Sequence, residues 1–236
     1  MMSTMENPIT DDSGTLADAA FRSLRQDIIS GVRSPGERLR IERLREIYGI
    51  GPTPLREALQ RLNQDGLVLA EGNRGFTVAP LDPQEFADLN IARTSIEKEA
   101  LRLSIAKGGD EWEAAVVAAS YLMKKEDRAL AAAGDAAPDS WEQANGRFHF
   151  ALVSACGSRS LLRVRSGLHD LCERYRRASV NQRLNSRDLA AEHATIAEAA
   201  LARNIERTCD LTERHFALTA AILTGADDAD MRQQNG

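Results

Sequence analysis

The chain has 236 residues, 30 Lys+Arg against 35 Asp+Glu and a formal net charge of −5, a length that suits one large domain or two small ones. With 43% apolar and 28% charged residues it is too apolar for a disordered chain, and with only 5% aromatics it does not suit an all-β sandwich. No apolar run nears the ~18 residues of a membrane span, the start Met1-Met2-Ser3-Thr4-Met5-Glu6 is no signal peptide, and the scattered Cys156, Cys172 and Cys209 make no disulfide framework, so a cytoplasmic protein is expected.

Residues 1–14 are polar, with Pro8, Asp11, Asp12 and Gly14, and read as a frayed arm. From Leu16 onward, Ala17, Ala20 or Phe21, Leu24 and Ile28 recur three and four apart, which predicts a helix stopped at Gly31. Ser34-Pro35-Gly36 is a turn, and Ile41, Leu44 and Ile47 predict a second short helix on one face, broken at Gly49. In Pro52-Thr53-Pro54, Thr53 is the expected N-cap of a third helix and Pro54 its first residue. Leu55, Ala58, Leu59 and Leu62 form that helix's apolar stripe, and Gly66 ends it. Leu67-Val68-Leu69 and Phe76-Thr77-Val78, joined through Gly72-Asn73-Arg74-Gly75, read as a hairpin. Three helices and a hairpin in this order describe a winged helix-turn-helix over residues 15–80.

Beyond Pro80-Leu81-Asp82-Pro83 the pattern is helical throughout. Six segments are predicted, at 83–106, 110–133, 138–156, 158–179, 186–203 and 205–223. The breaks fall at Gly108-Gly109, Gly134 to Pro138, Gly157, Asn181 to Asn185 and Asn204, and the tail after Gly225 is polar. The expected fold class is mainly α, with the winged helix-turn-helix followed by an antiparallel bundle of about six helices over residues 83–224.

Charge supports this division. Residues 15–80 carry ten Arg against eight acids, while the remainder is acidic, as suits a DNA-reading module joined to something else. In such a module the second helix of the helix-turn-helix offers its N-terminal residues to base edges in the major groove. Opposite the Leu stripe stand Thr53, Arg56 and Gln60. Arg pairs bidentately with guanine and Gln with adenine. Asn73 and Arg74, at the wing tip, have a minor groove or a phosphate within reach. Taken singly, Arg56 reads more readily as a surface arginine paired with Glu57 or Glu46. The turn, the Pro-capped helix and the Gly-Asn-Arg-Gly hairpin in the right order favour DNA reading for the set.

Several segments together resemble the DNA-binding domain of GntR-family transcriptional regulators over residues 16–80. They are Ile28-Ile29-Ser30-Gly31, Pro35-Gly36-Glu37-Arg38-Leu39, Tyr48-Gly49-Ile50, Thr53-Pro54-Leu55-Arg56-Glu57-Ala58-Leu59 and Asn73-Arg74-Gly75-Phe76. The resemblance carries Thr53 and Arg56 over as DNA contacts. Two positions depart from it: Gly51-Pro52 stands where the family usually has Ser-Arg, and Glu42 stands where an Arg is often found. Arg40, Arg43 and Arg45 are the expected compensation.

The four histidines, 149, 169, 193 and 215, lie in four different predicted helices. Asn145 and His149 are four apart and share a helix face. His193 and His215 lie at similar height on neighbouring antiparallel helices. One such His is usually structural, but three that converge suit a zinc-like metal, because imidazole is the commonest ligand for it. Asn145-Gly146-Arg147-Phe148-His149-Phe150-Ala151-Leu152, with Glu192-His193 and Arg214-His215, is similar to the ligand-sensing FCD domain of the FadR subgroup. That similarity implies a divalent metal (Zn or Ni) on His149, His193 and His215. Asn145 is then the fourth ligand, where many members have Asp, and a small carboxylate effector completes the coordination. It also makes Arg93, in an Arg93-x-x-x-Glu97 pattern, a candidate for the effector's carboxylate. The alternative there is a surface i,i+4 ion pair. His169 is expected to be structural, and Arg174 to Arg177 face either the cavity or the solvent.

The implied protein is a homodimeric regulator, expected to be a repressor, which binds a palindromic double-stranded operator and answers to a small carboxylic acid. Two other classes compete. Against a metal-dependent hydrolase using the same histidines, the chain lacks His-Glu-x-x-His, and no Glu or Asp is obviously placed in the sequence as a general base beside them. A DNA-binding architectural protein would need no effector.

Overall fold

A computed structural model describes residues 14–72, 75–133, 139–178 and 187–224. The expected wing tip Asn73-Arg74, the breaks at 134–138 and 181–185, the arm before residue 14 and the tail fall outside the described residues. The chain divides into two compact units, the first made of the chain up to Ile28 and Val32–Ala79, the second of Ile29–Gly31 and the chain from Pro80 onward.

The first unit contains α1 (Leu16–Ile29), β1 (Arg38–Leu39), α2 (Ile41–Tyr48), α3 (Pro52–Gln64), β2 (Val68–Ala70) and β3 (Phe76–Val78). Helix α1 starts in a reciprocal cap. The Asp18 N–H donates to Thr15 Oγ1 at 3.2 Å, and the Thr15 N–H donates to Asp18 Oδ2 at 3.0 Å. Helix α2 ends on Gly49, whose φ of 67° is left-handed and favours glycine. Its buried face is narrower than the periodicity suggests: Leu44 is buried while Ile47 is exposed.

Helix α3 begins two residues earlier than expected. Gly51 is the N-cap, Pro52 opens the helix, and Thr53 makes no capping bond. Either proline has the fixed φ and the missing N–H that the first turn tolerates, and the chain uses the earlier one. Thr53 is therefore left exposed in the first turn. The sheet has the order β1-β3-β2, antiparallel throughout, with Arg38 opposite Thr77 and Ala70 opposite Phe76. The third strand, β1, has no two-residue alternation long enough to read in the sequence. Leu24, Ile28, Leu44, Leu55, Leu59, Leu62, Leu67 and Val78 form the buried core, and Arg61 of α3 bonds Asp18 of α1 at 2.7 Å.

The second unit contains α4 (Pro83–Lys107), α5 (Asp110–Ala133), α6 (Asp139–Val153), α7 (Arg159–Ala178), α8 (Leu189–Leu201) and α9 (Ile205–Thr224). Side chains cap several of these starts. Asp82 accepts from Gln84 N at 2.9 Å, Ser158 from Leu161 N at 3.3 Å, Asp188 from Ala191 N at 3.0 Å and Asn204 from Arg207 N at 3.0 Å. Helix α4 packs on α6, α7 and α9, α5 packs on α6 and α8, and α8 packs on α9. An apolar core of Leu101, Trp112, Val116, Met123, Trp141, Phe148, Leu152 and Ile196 fills one part of the bundle. A smaller cluster of Phe86, Cys172 and Tyr175 packs elsewhere, and buried charged and polar side chains, Arg93, Glu97, Glu142, Arg165 and Arg176 among them, occupy other interior positions. No helix among the described residues is long and apolar enough to cross a membrane.

Candidate nucleic-acid interface and metal centre

In the first unit, burying Leu55, Ala58, Leu59 and Leu62 turns the opposite face of α3 outward. Thr53, Arg56 and Gln60 are exposed on that face. Arg56 and Gln60 line a groove of about 650 Å³ together with Arg38 and Arg40 at the β1–α2 junction and Gly72 and Gly75 at the base of the wing. Among the described residues, neither Glu57 nor Glu46 pairs with Arg56. Arg43 and Arg45 are exposed on α2 but do not line this groove. Arg38 was not anticipated as a groove residue, because only its strand pairing with Thr77 places it there. We expect Arg56→Ala to cost about 1–3 kcal/mol of specific DNA binding and to relax base preference. The measurement is the ratio of operator to non-operator affinity, and an unchanged ratio would remove Arg56 from base reading.

In the second unit, His149 on α6, His193 on α8 and His215 on α9 converge. One ring nitrogen from each lies within 4.8 Å of the others, and the ring centroids are 5.8, 5.4 and 4.8 Å apart. All three are buried, as is Asn145 one turn ahead of His149 on the same helix. Burial, reinforced by the neighbouring His215 and Arg93, holds His149 well below its ordinary value. Burial likewise brings His215 down to about 3 despite a bond to Glu192. Both imidazoles are therefore neutral at pH 7 and keep a lone pair for a ligand bond.

The hydrogen bonds orient two of the rings. His193 Nδ1 is 2.7 Å from Asp127 Oδ2, and His215 Nδ1 is 2.8 Å from Glu192 Oε2. His193 Nε2 and both nitrogens of His149 have no hydrogen-bond partner among the described residues. Buried polar atoms are normally paired, so this cluster of unpaired nitrogens fits a bound cation. His169 lies apart on α7, 3.9 Å from Glu173.

Arg93 is not the surface residue that the i,i+4 alternative required. It is only 4% exposed, its guanidinium sits 3.6 Å over the Phe216 ring, and its Nε has no partner. Glu97, 1% exposed, turns away to Arg165 of α7, whose Nη2 donates at 2.9 Å. Arg176 of α7 is likewise occupied by Glu142, at 2.8 Å. Of the α7 run, Arg174, Tyr175 and Arg176 are buried, while Arg177 bonds Glu173 and Asp139. Arg165 and Arg176 are thus each paired with a buried glutamate, whereas Arg93 has no carboxylate partner among the described residues. Neither Arg165 nor Asp127 was anticipated, since each acts on a residue 66 or more positions away and no local pattern marks it.

Comparison with known proteins gives the family. The FCD domain signature matches residues 88–218, and that of the bacterial regulatory proteins, gntR family, matches residues 16–78. The HTH-type transcriptional repressor GlaR of Escherichia coli strain K12 is 37% identical over 210 residues, covering 87% of this chain and 94% of GlaR. The uncharacterized HTH-type transcriptional regulator BphR of Paraburkholderia xenovorans strain LB400 is 36% identical, covering 89% and 85%. Two solved structures share the fold. A GntR transcriptional regulator from Rhodococcus sp. RHA1 has a TM-score of 0.72 at 23% identity, covering 89% of this chain and 98% of that one. E. coli McbR/YncC has a TM-score of 0.68 at 19% identity, covering 94% and 100%. With its two signatures in the order that its two units follow, the chain belongs to the GntR family of bacterial regulatory proteins, carries an FCD domain, and is a DNA-binding transcriptional regulator rather than an enzyme.

Proposed function

We propose that this regulator is a cytoplasmic repressor that binds a palindromic operator as a homodimer and is released by a small carboxylic acid bound in the FCD domain. The observation that carries the reading is the buried trio of histidines beside a buried arginine that pairs with no carboxylate among the described residues. His149, His193 and His215 would hold a divalent, zinc-like cation, with Asn145 as an uncharged fourth ligand. When bound, that cation supplies a Lewis-acidic positive pole with an open position for a carboxylate oxygen. Arg93 contributes a second positive pole, held in place by the Phe216 ring beneath it. The repressor sense draws on the printed description of GlaR. Two-fold symmetry doubles the few base pairs that one winged helix reads.

On the DNA-reading face, Thr53, Arg56 and Gln60 take the base edges, while Arg38 and Arg40 hold the adjoining backbone. Arg43, Arg45, Asn73 and Arg74 are further candidates for phosphate contacts. The test is fluorescence anisotropy on the operator with metal-free and Zn-loaded protein, titrated with a panel of small mono- and dicarboxylates. At least one acid should lower operator affinity for the Zn-loaded protein and leave the metal-free protein unmoved. Release that is indifferent to metal, or no release by any acid, would overturn the reading.

A further inference from the structure

The inner donor set proposed for the metal is electrically neutral, consisting of three imidazoles and the amide of Asn145. A divalent cation in a buried site needs negative charge nearby, or its desolvation goes uncompensated. The structure places two carboxylates one step back, each on the Nδ1 of a candidate ligand: Asp127 behind His193 and Glu192 behind His215.

The two are not equivalent. The Arg187 guanidinium spans both oxygens of Glu192, bonding Oε1 at 3.0 Å through Nε and Oε2 through Nη2. Much of that carboxylate's charge is thereby cancelled before it reaches His215. Asp127 has a different environment. It is buried on α5, and among the described residues its Oδ1 accepts only the uncharged indole N–H of Trp141, at 2.9 Å. Lys124 and Arg128, one turn or less to either side on α5, are exposed, and neither forms an ion pair with it among the described residues. With no Lys or Arg paired to it among the described residues, Asp127 keeps more of its charge for the His193 ring than Glu192 keeps for His215.

We propose that Asp127 is the principal positioning residue of the centre: it holds the proton of His193 on Nδ1, aims Nε2 at the metal, and supplies the negative charge that Asn145 does not. Trp141 fixes the carboxylate's orientation through Oδ1, so Oδ2 is committed to the histidine. His193 Nε2 is accordingly the ring nitrogen left without a partner. The inference rests on the metal reading of the three histidines and adds to it a ranking: Asp127 matters more than Glu192.

The experiment uses the full-length protein and Zn2+ alone, with affinity read by competition against a chromophoric chelator. Asp127→Asn removes the charge and keeps a single carbonyl acceptor, so only one of the Trp141 and His193 N–H groups can still be accepted and the other faces an NH2 group. Zn2+ affinity should fall about 10–100-fold, the usual effect of losing an outer carboxylate. Glu192→Gln should cost less, and His193→Ala should abolish the site.

A second readout does not depend on how well the variant folds. In long-range 1H–15N spectra of the metal-free parent, His193 should carry its proton on Nδ1. Parental Zn2+ affinity in Asp127→Asn alongside loss in His193→Ala would overturn the proposal and leave the metal centre standing. A larger loss in Glu192→Gln than in Asp127→Asn, or an Nε2-protonated His193, would equally overturn it. Parental affinity in both Asp127→Asn and His193→Ala would instead refute the centre itself.

Discussion

Replacing His149 with leucine is expected to stabilise the metal-free protein and to abolish its metal binding. His149 is 1% exposed, its ring centroid lies 5.2 Å from that of Phe148 and 5.3 Å from that of Phe216, and neither ring nitrogen has a partner among the described residues. A buried polar atom left unpaired costs about 1–3 kcal/mol. Leucine has nearly the same volume and no polar atom, so His149→Leu should recover about that much. With metal the order reverses. At a metal concentration 100 times Kd, the parent gains about 2.7 kcal/mol, and the leucine variant gains nothing. Calorimetric melting in chelator and in excess Zn2+ gives both signs in one experiment. A variant that melts no higher than the parent in chelator would mean that the ring nitrogens are satisfied in the metal-free state. Equal metal content would take His149 out of the ligand set. A residue that weakens the fold until a ligand arrives is a common mark of a functional site.

The legible parts of this protein were those written in short-range pattern. The periodicity of Leu55, Ala58, Leu59 and Leu62 sufficed to expose Thr53, Arg56 and Gln60 together. Glycine and asparagine breaks marked the helices that carry the three histidines, whose ring nitrogens the structure brings within 4.8 Å. Strand β1 was not legible, because two residues carry no period and its pairing with β3 is made by chain 37 positions away. The start of α3 was misread because two prolines compete for one position, and only backbone geometry decides between them. Charges inside the bundle were the least legible of all. Arg93 and Glu97, four apart, have the spacing of an exposed helical pair. Which of them is satisfied depends on Arg165 from another helix.

That third residue sets up the remaining prediction. Arg165 occupies Glu97 through an Nη2 bond of 2.9 Å, with its Nε 2.8 Å from the other oxygen. Arg93 and Glu97 lie on one helix face, and Glu97 is among the charges that act on Arg93. Burial, then the neighbouring Arg176 and Arg165, lower the Arg93 guanidinium from its ordinary value, so a carboxylate arriving there relieves a standing cost. Arg93→Met should therefore weaken the carboxylate selected by the operator assay about 10–150-fold, the worth of one charge-assisted bond, while Zn2+ affinity stays parental.

Arg165→Met should produce the same loss by another route. Breaking a buried ion pair costs about 3–5 kcal/mol when the survivor is stranded, but Glu97 has Arg93 within reach. The variant should thus lose less stability than a stranded charge implies, and lose carboxylate binding because its own glutamate now fills the site. Removing that glutamate settles the matter. Arg165→Met with Glu97→Gln should bind the carboxylate at least as tightly as the parent, because Arg93 is again the unneutralised cation. Calorimetric titration of the three Zn-loaded variants reads the cycle. Parental affinity in Arg165→Met, or no recovery in the double variant, would show that Arg165 does not keep Arg93 available for the acid.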